Sequence, residues 1–229
     1  MSLKENLRVI ENNLQEAVVK SKNANRRVRI IAVTKNVSAQ RIQEAVSNGL
    51  FHLGENRVQE MTGKMEQLDL RVKWHMIGHL QRNKVKYIVE KVHLIHSIDS
   101  LSLMREIDRR GRETGRVIDG LIQINVSGEK SKFGIDPDQL SRLLLSSEDF
   151  SFLKIRGLMT MAPHFENPEK TRDGFKKLYD LFMNTKETTP FFTDADVLSM
   201  GMSNDYQVAI EEGATMIRIG SALFGERHE

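Results

Sequence analysis

The chain has 229 residues, with 34 Lys plus Arg against 31 Asp plus Glu, a formal net charge of +3. That length holds one sizeable core, and so slight a basic excess permits an anionic ligand without demanding a nucleic-acid partner. There is no cysteine, which excludes disulfides and thiolate metal sites and fits an intracellular, cytoplasmic protein.

The N-terminal stretch MSLKENLRVIENNLQEAVVKS has polar residues breaking every apolar run, so neither a signal peptide nor a membrane span is expected. Leu3, Leu7, Ile10, Leu14 and Ala17 recur every three or four residues, which predicts an amphipathic helix within residues 1–24 that packs on the body of the protein. Acidic residues and the lack of aromatic anchors argue against a membrane surface for its apolar stripe.

Short apolar runs and amphipathic stretches then alternate. Strands are predicted at Val28–Thr34, Leu50–Asn56, Val72–Gly78, Leu94–Asp99, Gly120–Ser127, Ile155–Met161, Val197–Gly201 and Met216–Gly220. Helices are predicted between them: Ala39–Asn48 with Ser38 as cap and Gly49 as stop, Val58–Leu68, one from Leu80, one over SLSLMREIDRRGRETG, one opened by Asp136-Pro137, one after Pro168, and one from about Asn204 to Glu212. Strands alternating with helices imply parallel pairing. Eight evenly spaced units predict a closed (β/α)₈ TIM barrel forming a single domain over residues 1–229, with the N-terminal helix as an addition. An open doubly wound sheet is the rival, weakened because no Gly-rich dinucleotide loop follows the first strand.

A barrel carries its site at the C-terminal ends of its strands. Lys35, Glu55, Asn56, His75, His79, Asp99, Asn125, Thr160, Ser199, Met200, Ser203, Arg218 and Ser221 gather at or near those ends. SMGMSND and RIGSALFG place Gly201, Ser203, Gly220 and Ser221 at the last two strand exits, where small residues let backbone N–H groups approach an anion. One phosphate monoester would suit such a clamp, and two ordinary glycine turns would give the same spacing. In a closed barrel the first strand lies beside the eighth, so the Lys35 amine can face the same cavity. A partly desolvated lysine becomes nucleophilic. An amine beside a phosphate clamp fits an aldehyde-bearing phosphate, with pyridoxal 5′-phosphate the obvious case. A phosphosugar aldolase or isomerase fits the same residues.

IAVTKN, HLGENRVQE, WHMIGHLQRNK, IHSIDS, INVSGEKSKFGI, RGLMTM and LSMGMSNDYQVAIEEGATMIRIGSALFG together resemble the pyridoxal phosphate homeostasis protein family, whose members are alanine racemase N-terminal-domain-like. The resemblance runs from the first strand to the C-terminus. It implies a barrel like the N-terminal domain of alanine racemase and a Schiff base between the cofactor and Lys35. It implies Asn56 and Met200 beside the cofactor, and Ser203, Gly220 and Ser221 on its phosphate. Arg218 would face the pyridine nitrogen. It also implies a role in binding, buffering and delivering the cofactor rather than an assigned reaction. His79 stands where relatives vary, and no role is assigned to it.

The chemistry of these residues agrees with a carrier. A guanidinium already bears its protons and only donates, so Arg218 leaves the ring nitrogen unprotonated and the cofactor a weaker electron sink. Racemases tolerate such an arginine, so a low-activity amino-acid racemase or lyase remains the alternative. Alanine racemases draw an opposing tyrosine from a partner subunit that also brings a second domain; this chain, ending at Glu229, is expected to lack that domain. Its tyrosines, Tyr87, Tyr179 and Tyr206, all fall on predicted helices. His52, His75, His93 and His96 are expected as packed or hydrogen-bonded side chains rather than a metal cluster, because His93 and His96, three apart on a strand, should face opposite ways. Met159, Met161, Met200 and Met202 fill core or shape an apolar wall. RRGR lacks aromatic interleaving and argues against nucleic acid. Lys130 and Lys132, in the loop Ser127–Gly134, form a lid or a solvated loop. Apo-enzymes that need the cofactor are the expected protein partners, and a monomer or weak dimer the expected assembly.

Overall fold

The structure is a computed structural model that describes residues 2–22, 27–68, 71–129 and 133–225. Eight parallel strands close into a barrel in sequence order. They are β1 Arg29–Val33, β2 His52–Glu55, β3 Lys73–Met76, β4 Val92–Ile98, β5 Ile118–Gln123, β6 Leu153–Met159, β7 Val197–Met202 and β8 Met216–Ile219. β1 pairs with β8, Arg29 against Met216 through Ala32 against Ile219. That pairing closes the barrel and settles the choice against an open sheet.

Around it lie α1 Leu3–Val19, α2 Ala39–Ser47, α3 Val58–Gln67, α4 Leu101–Thr114, α5 Leu140–Leu145, α6 Arg172–Thr188, α7 Tyr206–Glu211 and α8 Ser221–Phe224. α1 starts with a capping box: Ser2 Oγ accepts from Glu5 N–H and Glu5 accepts from Ser2 N–H. Its stripe Leu3, Leu7, Ile10 and Ala17 is buried, and the helix packs on α7 and α8. Asn6 Nδ2 donates to Leu223 O and Asn13 Nδ2 to the Tyr206 phenol oxygen. Tyr206 is thereby turned toward α1. Ser38 caps α2 by accepting from Arg41 N–H.

The helix expected from Leu80 is replaced by a 3₁₀ turn, Arg82–Tyr87. Beyond that turn the carbonyls of Val89 and Val92 accept from the Arg116 guanidinium, at the point where β4 begins. Similarly, Pro137–Gln139 is a 3₁₀ turn ahead of α5, and Pro168–Thr171 one ahead of α6.

The barrel interior holds two kinds of filling. Ile31, Leu94, Leu121, Met159, Val197 and Met216 form a small apolar cluster apart from the main core. Beside it lie imidazoles. His52 Nδ1 is 2.8 Å from His75 Nε2, His75 Nδ1 is 2.9 Å from His96 Nε2, and His96 Nδ1 is 2.9 Å from Ser199 Oγ. These three histidines are hydrogen-bonded, as expected. The expectation that His93 and His96 face opposite ways fails. Both rings meet His75, with centroids 5.3 and 5.1 Å away. The β3–β4 register shifts between Trp74 and His75: Trp74 pairs with Val92 but His75 with Leu94. His93 is the extra residue of that bulge, and a bulge cancels simple alternation. The histidines do gather, contrary to expectation: ring nitrogens of His52, His75 and His93 lie within 4.8 Å of one another. Burial first, and then the nearby Arg29 and Lys73, lowers the His52 and His93 pKa values, and these charges oppose a bound cation.

A Cβ on Gly157 in β6 would sit 1.8 Å from Val197 O, backbone against backbone, whereas one on Gly63 in α3 meets nothing within 4 Å. Gly157→Ala is expected to lose about 3 kcal/mol or more in urea unfolding, and Gly63→Ala to gain roughly 0.5–1 kcal/mol. Burial, first of all, holds His75 and His96 well below 6.5 and His52 and His93 at about 4. The folded chain therefore binds fewer protons than the unfolded chain in the window below 6.5. Stability is full above that pH and falls as pH drops through the window. His75 and His96 each contribute a slope of up to about 1.4 kcal/mol per pH unit; His52 and His93, half in solvent, contribute less. Urea midpoints measured across this range should decline, and His93→Gln should flatten the decline; a level profile would contradict the neutral interior.

Candidate functional site

A cavity of about 590 Å³ opens at the C-terminal end of the barrel. Five of the residues expected at the site line it: Asn56, Ser203, Arg218, Gly220 and Ser221. Val33, Ile77, Met161 and Met202 give it an apolar wall, and Pro163, His164 and Phe165 come from the chain after β6. Met200 is not part of the lining: it is fully buried in the main core. The β7–β8 register shifts between Ser199 and Met202, so Met202 rather than Met200 reaches the cavity. Met159 likewise fills the interior while Met161 lines the wall.

The last two strand exits are tied together by one hydroxyl. Ser203 Oγ accepts from Gly220 N–H at 3.1 Å and from Ala222 N–H at 3.2 Å. These are two backbone donors converging on one oxygen, the arrangement an anion's oxygen exploits. Gly201 makes the approach possible. Its φ is +90°, and a Cβ there would lie 2.5 Å from Ala209 Cβ and 3.0 Å from Tyr206 Cα. Asp205 fixes the same turn by accepting from Met202 N–H at 2.6 Å, and burial, first of all, raises its carboxyl pKa.

Arg218 forms part of the cavity wall and is 3% exposed. Its Nη1 donates to Ser199 Oγ at 2.7 Å and its Nη2 to Thr160 O at 2.8 Å. Both acceptors are neutral. Burial lowers its pKa to about 10, with Asp205 acting in the opposite sense, so the guanidinium stays charged near neutral pH.

Lys35 is half-buried, two residues past the end of β1. It is not among the residues that line the cavity, although Val33 is. Ile31 belongs to the interior cluster and Val33 to the cavity wall; Lys35 follows in the turn that leaves β1. The backbone on either side of it is anchored. Thr34 O accepts from Lys64 Nζ at 2.6 Å, and Asn36 N–H donates to Glu60 Oε1 at 2.6 Å. Lys64 also donates to Glu55 and Glu60, each at 2.7 Å, and Thr34 Oγ1 donates to Glu55 Oε1. Asn36 adopts φ 56°, a left-handed turn that asparagine tolerates. Lys64, Glu60, Thr34 and Glu55 thus hold the Lys35 turn. The sequence showed Glu60 and Lys64 four apart on a helix, but nothing there distinguished a buried clamp from a solvated pair.

Gly78 sets Asn56: a Cβ on Gly78 would lie 2.3 Å from Asn56 O. His79 stacks on Phe133 at 4.4 Å and lies 3.2 Å from Asp99. Asn125 Oδ1 accepts from Ser127 Oγ and Gly128 N–H, which shapes the loop after β5. Lys130 and Lys132 lie outside the described residues. In the basic run, Arg109 and Arg110 pair with Glu106 and Glu113, and Arg112 with Asp108. No helix among the described residues is long and apolar enough to cross a membrane.

Comparison with known proteins gives the same picture. The family described as "Alanine racemase, N-terminal domain" matches residues 5–228. The pyridoxal phosphate homeostasis protein of Aquifex aeolicus (strain VF5) is 43% identical over 221 residues, covering 96% of this chain and 96% of that one. The protein of the same name from Helicobacter pylori (strain ATCC 700392 / 26695) is 39% identical over 205 residues, covering 87% and 88%. PipY of Synechococcus elongatus PCC7942, solved with PLP bound, superimposes with a TM-score of 0.87 at 34% identity, covering 98% of this chain and 100% of that one. An alanine racemase of Clostridium difficile 630 in complex with cycloserine superimposes with a TM-score of 0.75 at 14% identity, over 98% of this chain and 60% of that one, a likeness of fold alone. With a full-length match in sequence and the same closed barrel, the chain belongs to the pyridoxal phosphate homeostasis protein family.

Proposed function

We propose that this protein binds pyridoxal 5′-phosphate at the C-terminal mouth of the barrel and buffers and delivers it in vitamin B6 homeostasis. The observation that carries the reading is the convergence of Gly220 N–H and Ala222 N–H on Ser203 Oγ, beside a cavity walled by Arg218. These donors fit a phosphate, the apolar wall of Ile77, Met161 and Met202 fits a flat ring, and a structure of PipY, a 34% identical protein, was solved with PLP bound. When bound, the cofactor would supply an aldehyde for an amine and a ring that can accept electrons.

The chain's own residues divide the task. Ser203, Ser221 and the Gly220 N–H receive the phosphate. Asn56 and Met202 flank the ring, and Arg218 donates toward its nitrogen. Lys35 supplies the amine, held at the rim by the Lys64–Glu60–Glu55 network. Because Arg218 cannot accept a proton, the ring nitrogen keeps its lone pair as acceptor. That favours a carrier over a racemase or lyase, as does Tyr206, whose phenol oxygen is taken by Asn13. Transfer to apo-enzymes completes the reading, and its two anchors, one covalent and one electrostatic, can be broken in separate steps.

Reconstituted protein should develop a visible band that borohydride bleaches, with the reduced label on the peptide carrying Lys35. A label elsewhere would defeat the assignment. Lys35→Ala should lose the band while dialysis still retains part of the ligand through the phosphate contacts. Ser203→Ala should keep the band and weaken retention about tenfold, as expected when one charge-assisted hydrogen bond is lost. Isotope exchange at the α-carbon of amino acids should not exceed that of free cofactor; faster exchange would favour the enzymatic alternative.

A further inference from the structure

Five polar side chains inside the barrel are joined end to end, and their donors and acceptors can be counted. Arg218 Nη1 lies 2.7 Å from Ser199 Oγ, which lies 2.9 Å from His96 Nδ1. His96 Nε2 lies 2.9 Å from His75 Nδ1, and His75 Nε2 lies 2.8 Å from His52 Nδ1. A guanidinium has only donors, so Ser199 Oγ accepts from Arg218. The hydroxyl proton then has one partner among the described residues, His96 Nδ1. If His96 donated from Nδ1 instead, that proton would be buried without an acceptor, a loss of about 1–3 kcal/mol. His96 Nδ1 is therefore bare, and its proton sits on Nε2, facing His75 Nδ1. By the same step, the His75 proton sits on Nε2 and faces His52. One obligatory donor at one end sets every tautomer in the row.

We propose that Ser199, His96, His75 and His52 act as positioning residues, a polarised chain that turns its lone pairs toward Arg218 and holds it as an oriented cation for the cofactor's ring nitrogen. The proposal rests on the binding mode argued above. Its physical motive is the isolation of Arg218: the guanidinium is buried, bonds only neutral oxygens, and has no carboxylate within ion-pair distance among the described residues. A row of aligned dipoles solvates such a charge. It does so with no carboxylate bonded to the guanidinium: Asp205, which also lines the cavity, is engaged by Met202 N–H. The row carries no proton to the site, because Arg218 does not release one. It also spans the barrel: Arg218 walls the upper cavity, and His52 borders a cleft at the opposite end with Arg29 and Lys73.

Histidine-selective heteronuclear NMR on the cofactor-free protein tests the chain directly. His75 and His96 should each carry their proton on Nε2 at neutral pH; an Nδ1 proton on either would overturn the proposal. Ser199→Ala removes one oxygen and should let His96 populate the Nδ1–H form. Loaded with ring-nitrogen-labelled pyridoxal phosphate, Ser199→Ala should show a displaced ring-nitrogen resonance. Its borohydride-reducible label on Lys35 should equal that of the unmodified protein. An unmoved resonance would overturn the role assigned to the chain. A wild-type protein with no reducible label at Lys35 would sink the binding mode, and the role at the ring with it, while the tautomers still judge the chain on their own.

Discussion

Everything at the upper mouth depends on the pairing of β1 with β8. Ala32 stands against Ile219, so the residues just past each strand, Lys35 on one side and Gly220 to Ala222 on the other, emerge side by side although they are far apart in the chain. No helix packing could substitute for this, because helices rest on the barrel from outside and do not set the stagger of its strands. The closure also explains why α1 docks where it does. Its buried stripe covers α7 and α8, the two helices that follow the last strands. It thus backs the wall of the anion clamp, and Asn6 bonding to Leu223 O ties it to α8 directly.

The interior of the barrel is unusual in placing imidazoles where aliphatic layers are the norm. Each buried ring nitrogen needs a partner, and the partners found are one another, ending on Ser199 and Arg218. Such a row is a commitment: a partly satisfied network would be worse than an apolar core. It exists because Arg218 is there to be served. A buried arginine without a contacting carboxylate is costly unless polar groups converge on it, and only the barrel interior can supply groups from β3, β4, β6 and β7 together.

The eight strands were legible because short apolar runs bounded by turn residues recur at even spacing, and that count points to a closed sheet. The small residues at the last two strand exits were legible as a place where backbone N–H groups converge, although two ordinary glycine turns share the spacing; the structure brings the Gly220 and Ala222 N–H groups onto Ser203 Oγ. Four things were hidden, and each has a physical cause. The 3₁₀ turn at Arg82–Tyr87 leads into a β4 entry where Arg116, far along the chain, takes the Val89 and Val92 carbonyls, a contact that local periodicity does not show. The gathering of His93 with His75 and the exchange of Met200 for Met202 both arise from register shifts between strands; alternation assumes a regular strand, and a single extra residue reverses it. The burial of Lys64 within the polar helix expected over Val58–Leu68 becomes visible only when Thr34 O and two carboxylates are found around its ammonium.

These pieces give the site its chemical character. Lys35 and Arg218 are both basic residues at one end of the barrel, yet they are held differently. Lys35 sits half-buried on a turn clamped through its backbone, and on the proposed binding mode its amine bonds the cofactor reversibly. Arg218 is locked, its geometry fixed by Ser199 and Thr160. A site for catalysis at the α-carbon gains from a protonated ring and a second acid–base group opposite the lysine. This one instead spends its rigidity on an arginine that cannot take a proton, and turns Tyr206 away beneath α1. On the binding mode proposed, the protein grips the phosphate and the ring firmly, leaves the covalent bond reversible, and weakens the electron sink, the combination of properties a carrier requires.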